Sequence, residues 1–83
     1  MKVQAEVSLY ALRQNDLTGP IRQFIESLEC DNLKVKTGSM SSLISGESRV
    51  VFQGLQEAFE QVAQISEVVL TAKVSNACPD VDI

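Results

Sequence analysis

The sequence has no histidine and no tryptophan, and it has only two cysteines. Without histidine there is no Ser-His-Asp or Cys-His constellation and no His-ligated zinc. Cys30 and Cys78 lie far apart in the chain. They form no CxxC pair, and two thiols are too few for a disulfide framework or a cysteine-only zinc site. The only aromatic residues are Tyr10, Phe24, Phe52 and Phe59. Basic residues are also scarce: seven, against eleven acidic ones, give a net charge of −4. Nucleic-acid binding rests on neutralising phosphates, so an acidic domain without a basic stripe is a poor candidate for it. No apolar run approaches the ~20 residues of a membrane span. The start, Met1-Lys2-Val3-Gln4-Ala5-Glu6, meets an acid by position 6 and has no apolar h-region, so it does not read as a signal peptide. A cytoplasmic protein with free thiols is expected.

What is present is one small domain. The chain has 83 residues, 45% of them apolar, which excludes a disordered or low-complexity segment. A single core of this size is marginal, so self-association is expected before any motif is read. Val3, Ala5, Val7 and Leu9 alternate with Gln4, Glu6, Ser8 and Tyr10, which predicts a half-buried strand over residues 3–10. Asn15 to Gly19 is a loop, with Thr18 or Gly19 as cap and Pro20 in a first helical turn. Ile21, Phe24, Ile25 and Leu28 make one apolar helical stripe, and Asp31-Asn32 ends that helix. Leu33, Val35 and Thr37 alternate with Lys34 and Lys36 as a second strand. Gly38-Ser39 turns the chain into a third strand over residues 40–45, whose inward set is either Met40, Ser42 and Ile44 or Ser41, Leu43 and Ser45. Glu47 or Ser48 caps a second helix with a stripe of Val51, Phe52, Leu55, Ala58, Phe59 and Val62, ending near Ile65. Gly54 sits within it at a cost of about 1 kcal/mol relative to Ala. Residues 68–75 are a fourth strand with Val68, Leu70, Ala72 and Val74 on one face. Residues 76–83 are an irregular tail.

Strand-helix-strand-strand-helix-strand is the ferredoxin-like βαββαβ arrangement of the α+β class. Its sheet is antiparallel with order 4-1-3-2, and both helices lie on one face. The core is expected over about residues 3–75, in a single domain spanning 1–83. The other sheet face carries Gln4, Glu6, Ser8, Tyr10, Lys34, Lys36, Val69, Thr71 and Lys73, with Met40, Ser42 and Ile44 expected beside them. Nothing left in the chain covers it, and its apolar content exceeds what a free surface needs. A second copy packed on this face is therefore expected, with Glu6 and Lys73 able to pair across the two central strands. The topology also brings Cys30 and Cys78 to the same end of the domain.

This fold hosts many functions, so function is argued from sites. The catalytic Arg and Asn of acylphosphatases, the CxxC of copper chaperones, the stacking aromatics of RNA-recognition domains and the cysteines of two-cluster ferredoxins have no counterparts here. No nucleophile–base pair stands out, so no catalytic residue, cofactor or metal ligand is assigned and no enzyme is expected. What remains is a hydroxyl-rich stretch: Thr37, Ser39, Ser41, Ser42, Ser45 and Ser48. Hydroxyls both donate and accept, which suits a neutral polar ligand with ring nitrogens and an amino group. The same stretch also reads as turn chemistry and the wet edge of a strand.

Three blocks carry a family resemblance: Ala5-Glu6-Val7-Ser8-Leu9-Tyr10-Ala11-Leu12, Gly38-Ser39-Met40-Ser41-Ser42-Leu43-Ile44-Ser45-Gly46, and Val68-Val69-Leu70-Thr71-Ala72-Lys73-Val74. In order and spacing they resemble the YkoF-like thiamine-binding domain family, over about residues 3–75. Ser39 stands where that family commonly has Pro, Ser42 where it has Thr, and Ser45 where it has Glu. The resemblance implies a ferredoxin-like fold, non-catalytic binding of thiamine or its hydroxymethylpyrimidine moiety, and homo-oligomers, dimers or tetramers, built through the sheets. By position in the central block, Ser42 is the first candidate for a ligand hydrogen bond, followed by Ser39 and Ser41. Tyr10 and Met40 are candidates for apolar or stacking contacts, and Glu6 for attracting a cationic thiazolium. The expected function is an oligomeric carrier or sensor of a small molecule. The alternative is a protein-interaction or regulatory module that uses the open sheet face and takes no small ligand.

Overall fold

The computed structural model describes residues 1–13, 18–29 and 33–77. They form β1 (Lys2–Leu12), α1 (Thr18–Glu29), β2 (Lys34–Thr37), β3 (Ser42–Glu47), α2 (Ser48–Ala63) and β4 (Glu67–Ser75). The strands make one antiparallel sheet in the order β2-β3-β1-β4. This is the expected 4-1-3-2 order, read from the other edge. Among the described residues no helix is long and apolar enough to cross a membrane.

The alternation in β1 does what a period of two requires. Val3, Ala5, Val7 and Leu9 are buried, while Glu6 and Tyr10 are exposed on the opposite face. The buried set meets Phe24 and Leu28 of α1 and Val51, Leu55, Ala58 and Val62 of α2 in one core. Burying each large side chain contributes roughly 1.5–3 kcal/mol, so these few residues supply most of what holds so small a domain together. Gly54 is among the buried residues of α2. Among the described residues no other element covers the outer face of the sheet, which exposes Tyr10, Leu43 and Val69.

Several boundaries and faces differ from expectation. β1 runs from 2 to 12, longer than 3–10, because β4 pairs with it as far as Leu12↔Glu67. β3 begins at Ser42, two residues later than expected, because Met40 and Ser41 belong to the turn. Its inward set is Ser42 and Ile44: Ile44 is 0% exposed, opposite Ala5 and Val35, and Ser42 is 7% exposed. The expectation that Met40, Ser42 and Ile44 share the open face is thus corrected. Leu43, 36% exposed, faces out there instead. In the helices the apolar stripes are wider than the surface that covers them. Phe52 is 55% exposed, and Ile21 is also exposed. Ile65 lies past the end of α2, which closes at Ala63, and it is exposed. Leu33 precedes β2 but is buried, and Ala72 is exposed. Thr18 and Gly19, the expected caps, are the first two residues of α1. The loop at 14–17, the helix end at Asp31-Asn32, both cysteines and the tail from 78 onward lie outside the described residues.

Of the two expected caps, Glu47 and Ser48, Glu47 is the N-cap of α2, but its carboxylate does not cap. It accepts a 2.8 Å hydrogen bond from the Met1 amine. That ammonium, first as a hydrogen-bond donor and then through its charge, holds the Glu47 carboxyl below the usual carboxylate range. Gly46, opposite Val3 in the sheet, explains its own identity. A Cβ there would stand 2.7 Å from Leu33 Cδ2, so a larger residue would have to displace the Leu33 side chain.

Candidate functional site

The site grows out of a mismatch in strand length. β3 pairs with β1 only as far as Val7↔Ser42, whereas the β1–β4 ladder continues to Leu12. The β2–β3 turn therefore folds against the flank of β1 just past the end of that pairing. Gly38 N–H donates to the Ser41 carbonyl at 2.9 Å to close the turn. A Cβ on Gly38 would lie 2.7 Å from that same backbone oxygen, so only glycine fits the closure. Two side-chain bonds dock the turn on the open face. Ser8 Oγ donates to the Met40 carbonyl at 3.3 Å, and Ser41 Oγ donates to Glu6 Oε2 at 3.0 Å.

Two depressions result, one on each side of the turn. The inner one, about 100 Å³, is a cleft between Val7–Leu9 of β1, Ile21, Phe24 and Ile25 of α1, and Thr37–Ser42. An apolar cavity of about 150 Å³ takes a benzene ring, so this smaller cleft would seat a ring only in part. Its walls divide chemically. The α1 side is apolar, and the turn side is built from the hydroxyl-bearing Thr37, Ser39, Ser41 and Ser42, of which Ser41 gives its hydroxyl to Glu6 on the open face. The cleft borders an open groove of about 540 Å³ along α1, sharing Ile21, Ile25 and Thr37 with it and adding Thr18, Arg22, Glu26 and Glu29. The outer depression, about 530 Å³, lies on the open sheet face among Glu6, Ser8, Tyr10, Met40, Ser41, Thr71, Ala72 and Lys73.

The six residues singled out in the sequence divide between these two places. Ser39, Met40, Ser41 and Ser42 line the cleft. Glu6, Tyr10, Met40 and Ser41 line the outer depression. Met40 and Ser41 belong to both, and Met40, 89% exposed, stands on the rim between them. Ser42 lines the cleft, whereas Tyr10 and Glu6 line the outer depression. Glu6 and Lys73 are directly opposite in the β1–β4 register, yet no ion pair joins them among the described residues. Glu6 takes the Ser41 hydroxyl instead. Sequence reasoning missed Ser8, Leu9, Ile21, Phe24 and Ile25 as cleft residues. The usable signal was Ile21, an apolar residue a full turn ahead of the well-buried Phe24.

Fold and cleft together define a small ferredoxin-like α+β domain with a small cleft at one end of its sheet. The chain belongs to the YKOF-related family, whose model matches residues 2–81. No curated protein matches the sequence. Among solved structures, a hypothetical protein from Methanocaldococcus jannascii is similar at 25% identity, with a TM-score of 0.86 over 99% of this chain and 87% of that one. A protein from Streptococcus pneumoniae aligns at 23% identity with a TM-score of 0.84, over 90% and 86%. A protein from Thermotoga maritima, provisionally named a thiamine biosynthesis/salvage protein, aligns at 18% identity with a TM-score of 0.81, over 89% and 82%. The last two likenesses speak to fold alone.

Proposed function

We propose that this protein is a non-catalytic binder of thiamine or its hydroxymethylpyrimidine moiety, acting as a carrier or sensor. The observation that carries the reading is the cleft, in which an apolar wall from α1 faces a hydroxyl-bearing wall from the β2–β3 turn and which opens on the groove along α1. An aminopyrimidine has the matching character: a flat apolar face, ring nitrogens that accept, and an amino group that donates. Ser42 is buried on the turn side of the cleft and is the first choice for a ring hydrogen bond, with Ser39 and Ser41 beside it. A thiazolium attached to that ring would enter the bordering groove, where Glu26 and Glu29 offer negative charge. Glu6, on the far side of the turn, is the weaker candidate for that role. Family membership and the Thermotoga maritima protein's name support a thiamine-related ligand. A micromolar Kd corresponds to about −8 kcal/mol, within reach of one part-buried ring and a few hydrogen bonds. Calorimetry with hydroxymethylpyrimidine and with thiamine tests the reading. Binding that Ser42→Ala weakens by about tenfold, with the fold intact, supports it. No heat and no thermal shift at millimolar ligand would overturn it.

A second reading rests on the open face, where Tyr10 and Val69 lie side by side and exposed, with Leu43 exposed further along. There the protein would be an interaction module that packs on a second copy through this face. Light scattering of wild type and Tyr10→Ser separates the two, because Tyr10 lies outside the cleft.

A further inference from the structure

A thin wall separates the cleft from the outer depression. Among the described residues the two share Ser8, Met40 and Ser41, the residues through which the β2–β3 turn is docked. The turn is closed by one backbone bond, from Gly38 N–H to the Ser41 carbonyl. Two side-chain bonds hold it against β1, Ser8 Oγ to the Met40 carbonyl at 3.3 Å and Ser41 Oγ to Glu6 Oε2 at 3.0 Å. The second is the shorter, and its acceptor is a carboxylate. A hydrogen bond to an ionised group is roughly twice as strong as one between neutral groups. Glu6 itself is exposed on the open face and lines the outer depression. Lys73 stands directly opposite it in register, yet among the described residues the carboxylate engages Ser41.

We propose that Glu6 is a positioning residue for the cleft: it fixes the β2–β3 turn through Ser41, and so sets the hydroxyl-bearing wall from a face the ligand does not touch. This rests on the cleft being the ligand site. Positioning and direct attraction of a cation make different demands on the side chain. Holding the Ser41 hydroxyl needs an acceptor oxygen, which Gln also has. Drawing in a cation needs the negative charge, which Gln lacks. The two roles also favour different ligands. Hydroxymethylpyrimidine is uncharged at neutral pH, whereas thiamine carries a thiazolium charge. A fixed wall serves both compounds, and a carboxylate charge serves only the second.

The test is calorimetry with both compounds on Glu6→Ala, Glu6→Gln, Ser41→Ala and the double variant Glu6→Ala/Ser41→Ala. NMR measurement of Gly38 amide exchange in the ligand-free protein accompanies it. Glu6 is exposed, so each variant keeps the core. Glu6→Ala should raise the Kd for both compounds about fivefold, the worth of one hydrogen bond of about 1 kcal/mol. It should also speed Gly38 exchange. Glu6→Gln should return affinity and exchange close to wild type. The double variant should bind no more weakly than Ser41→Ala alone, because both changes break the same bond. A Glu6→Ala that weakens thiamine alone, or a Glu6→Gln as weak as Glu6→Ala, would assign Glu6 to charge and overturn the proposal. So would additive effects of Glu6→Ala and Ser41→Ala, or a Glu6→Ala that binds both compounds as wild type does. If neither compound binds wild type, the ligand reading falls. The hold of Glu6 on the turn is then decided by Gly38 exchange, faster in Glu6→Ala and restored in Glu6→Gln if it stands, equal in all three if it does not.

Discussion

Truncating Ile44 to alanine tests the register that aims Ser42 at the cleft, because the two residues share one face of β3. Ile44 is fully buried against Ala5 and Val35. The change removes three side-chain carbons, worth about 0.8 kcal/mol each, or about 2.4 kcal/mol of transfer free energy. The unfilled space adds to this and brings the expected loss to about 3–4 kcal/mol. Leu43→Ala, at a position 36% exposed on the open face, should cost below about 1 kcal/mol. A urea titration followed by circular dichroism reads both. With a slope near 1 kcal/mol/M for so small a domain, the Ile44→Ala midpoint should fall by about 3 M and that of Leu43→Ala by under 1 M. A total stability near 5 kcal/mol leaves Ile44→Ala barely folded. Ile44→Val, expected to lose about 0.5–1.5 kcal/mol, keeps the comparison measurable. A larger loss for Leu43→Ala than for Ile44→Ala would refute the register and turn Ser42 away from the cleft.

Other expectations follow from single contacts. Gly38→Ala puts a Cβ 2.7 Å from the backbone oxygen of Ser41. It should destabilise by about 1–3 kcal/mol and loosen the turn, raising the ligand Kd in calorimetry. Gly46→Ala meets the tip of the Leu33 side chain, which can swing aside, so thermal melting should show the smaller loss of the two. The Glu47 carboxyl is held below its ordinary value of 4.5 by the Met1 ammonium. Its stabilising contribution is present above that value and is lost as pH falls through the lowered one. An NMR titration should place its midpoint below 4.5, and acetylating the Met1 amine should raise it.

The sheet and the helices were legible because their signals are local. The alternation of Val3, Ala5, Val7 and Leu9 needs only a period of two. The spacing of Phe24 and Leu28, or of Val51, Leu55, Ala58 and Val62, needs only helical geometry. Whether an apolar residue in a stripe is covered depends on what lies over it, which no period encodes. Phe52 and Ile21 read as core for that reason, yet both are exposed. The β3 register was ambiguous because Met40, Leu43 and Ile44 put apolar residues on both parities. It is set by the length of the turn that Gly38 and Ser41 close. The hydroxyl wall of the cleft was visible as a run from Thr37 to Ser42. Its apolar wall comes from α1, whose stripe looked like ordinary core. The separation of Glu6 and Tyr10 from Ser42 follows from the turn standing between them, a tertiary fact.

The central claim is that the cleft behind the β2–β3 turn holds one small ring. A ¹H–¹⁵N correlation spectrum titrated with hydroxymethylpyrimidine tests it most directly, since it reports both binding and place. The account predicts saturable shifts at Ser8, at Thr37 through Ser42, and at Ile21 and Ile25, with Thr71 and Lys73 on the open face unmoved. Shifts confined to the open face, or none at millimolar ligand, would contradict it.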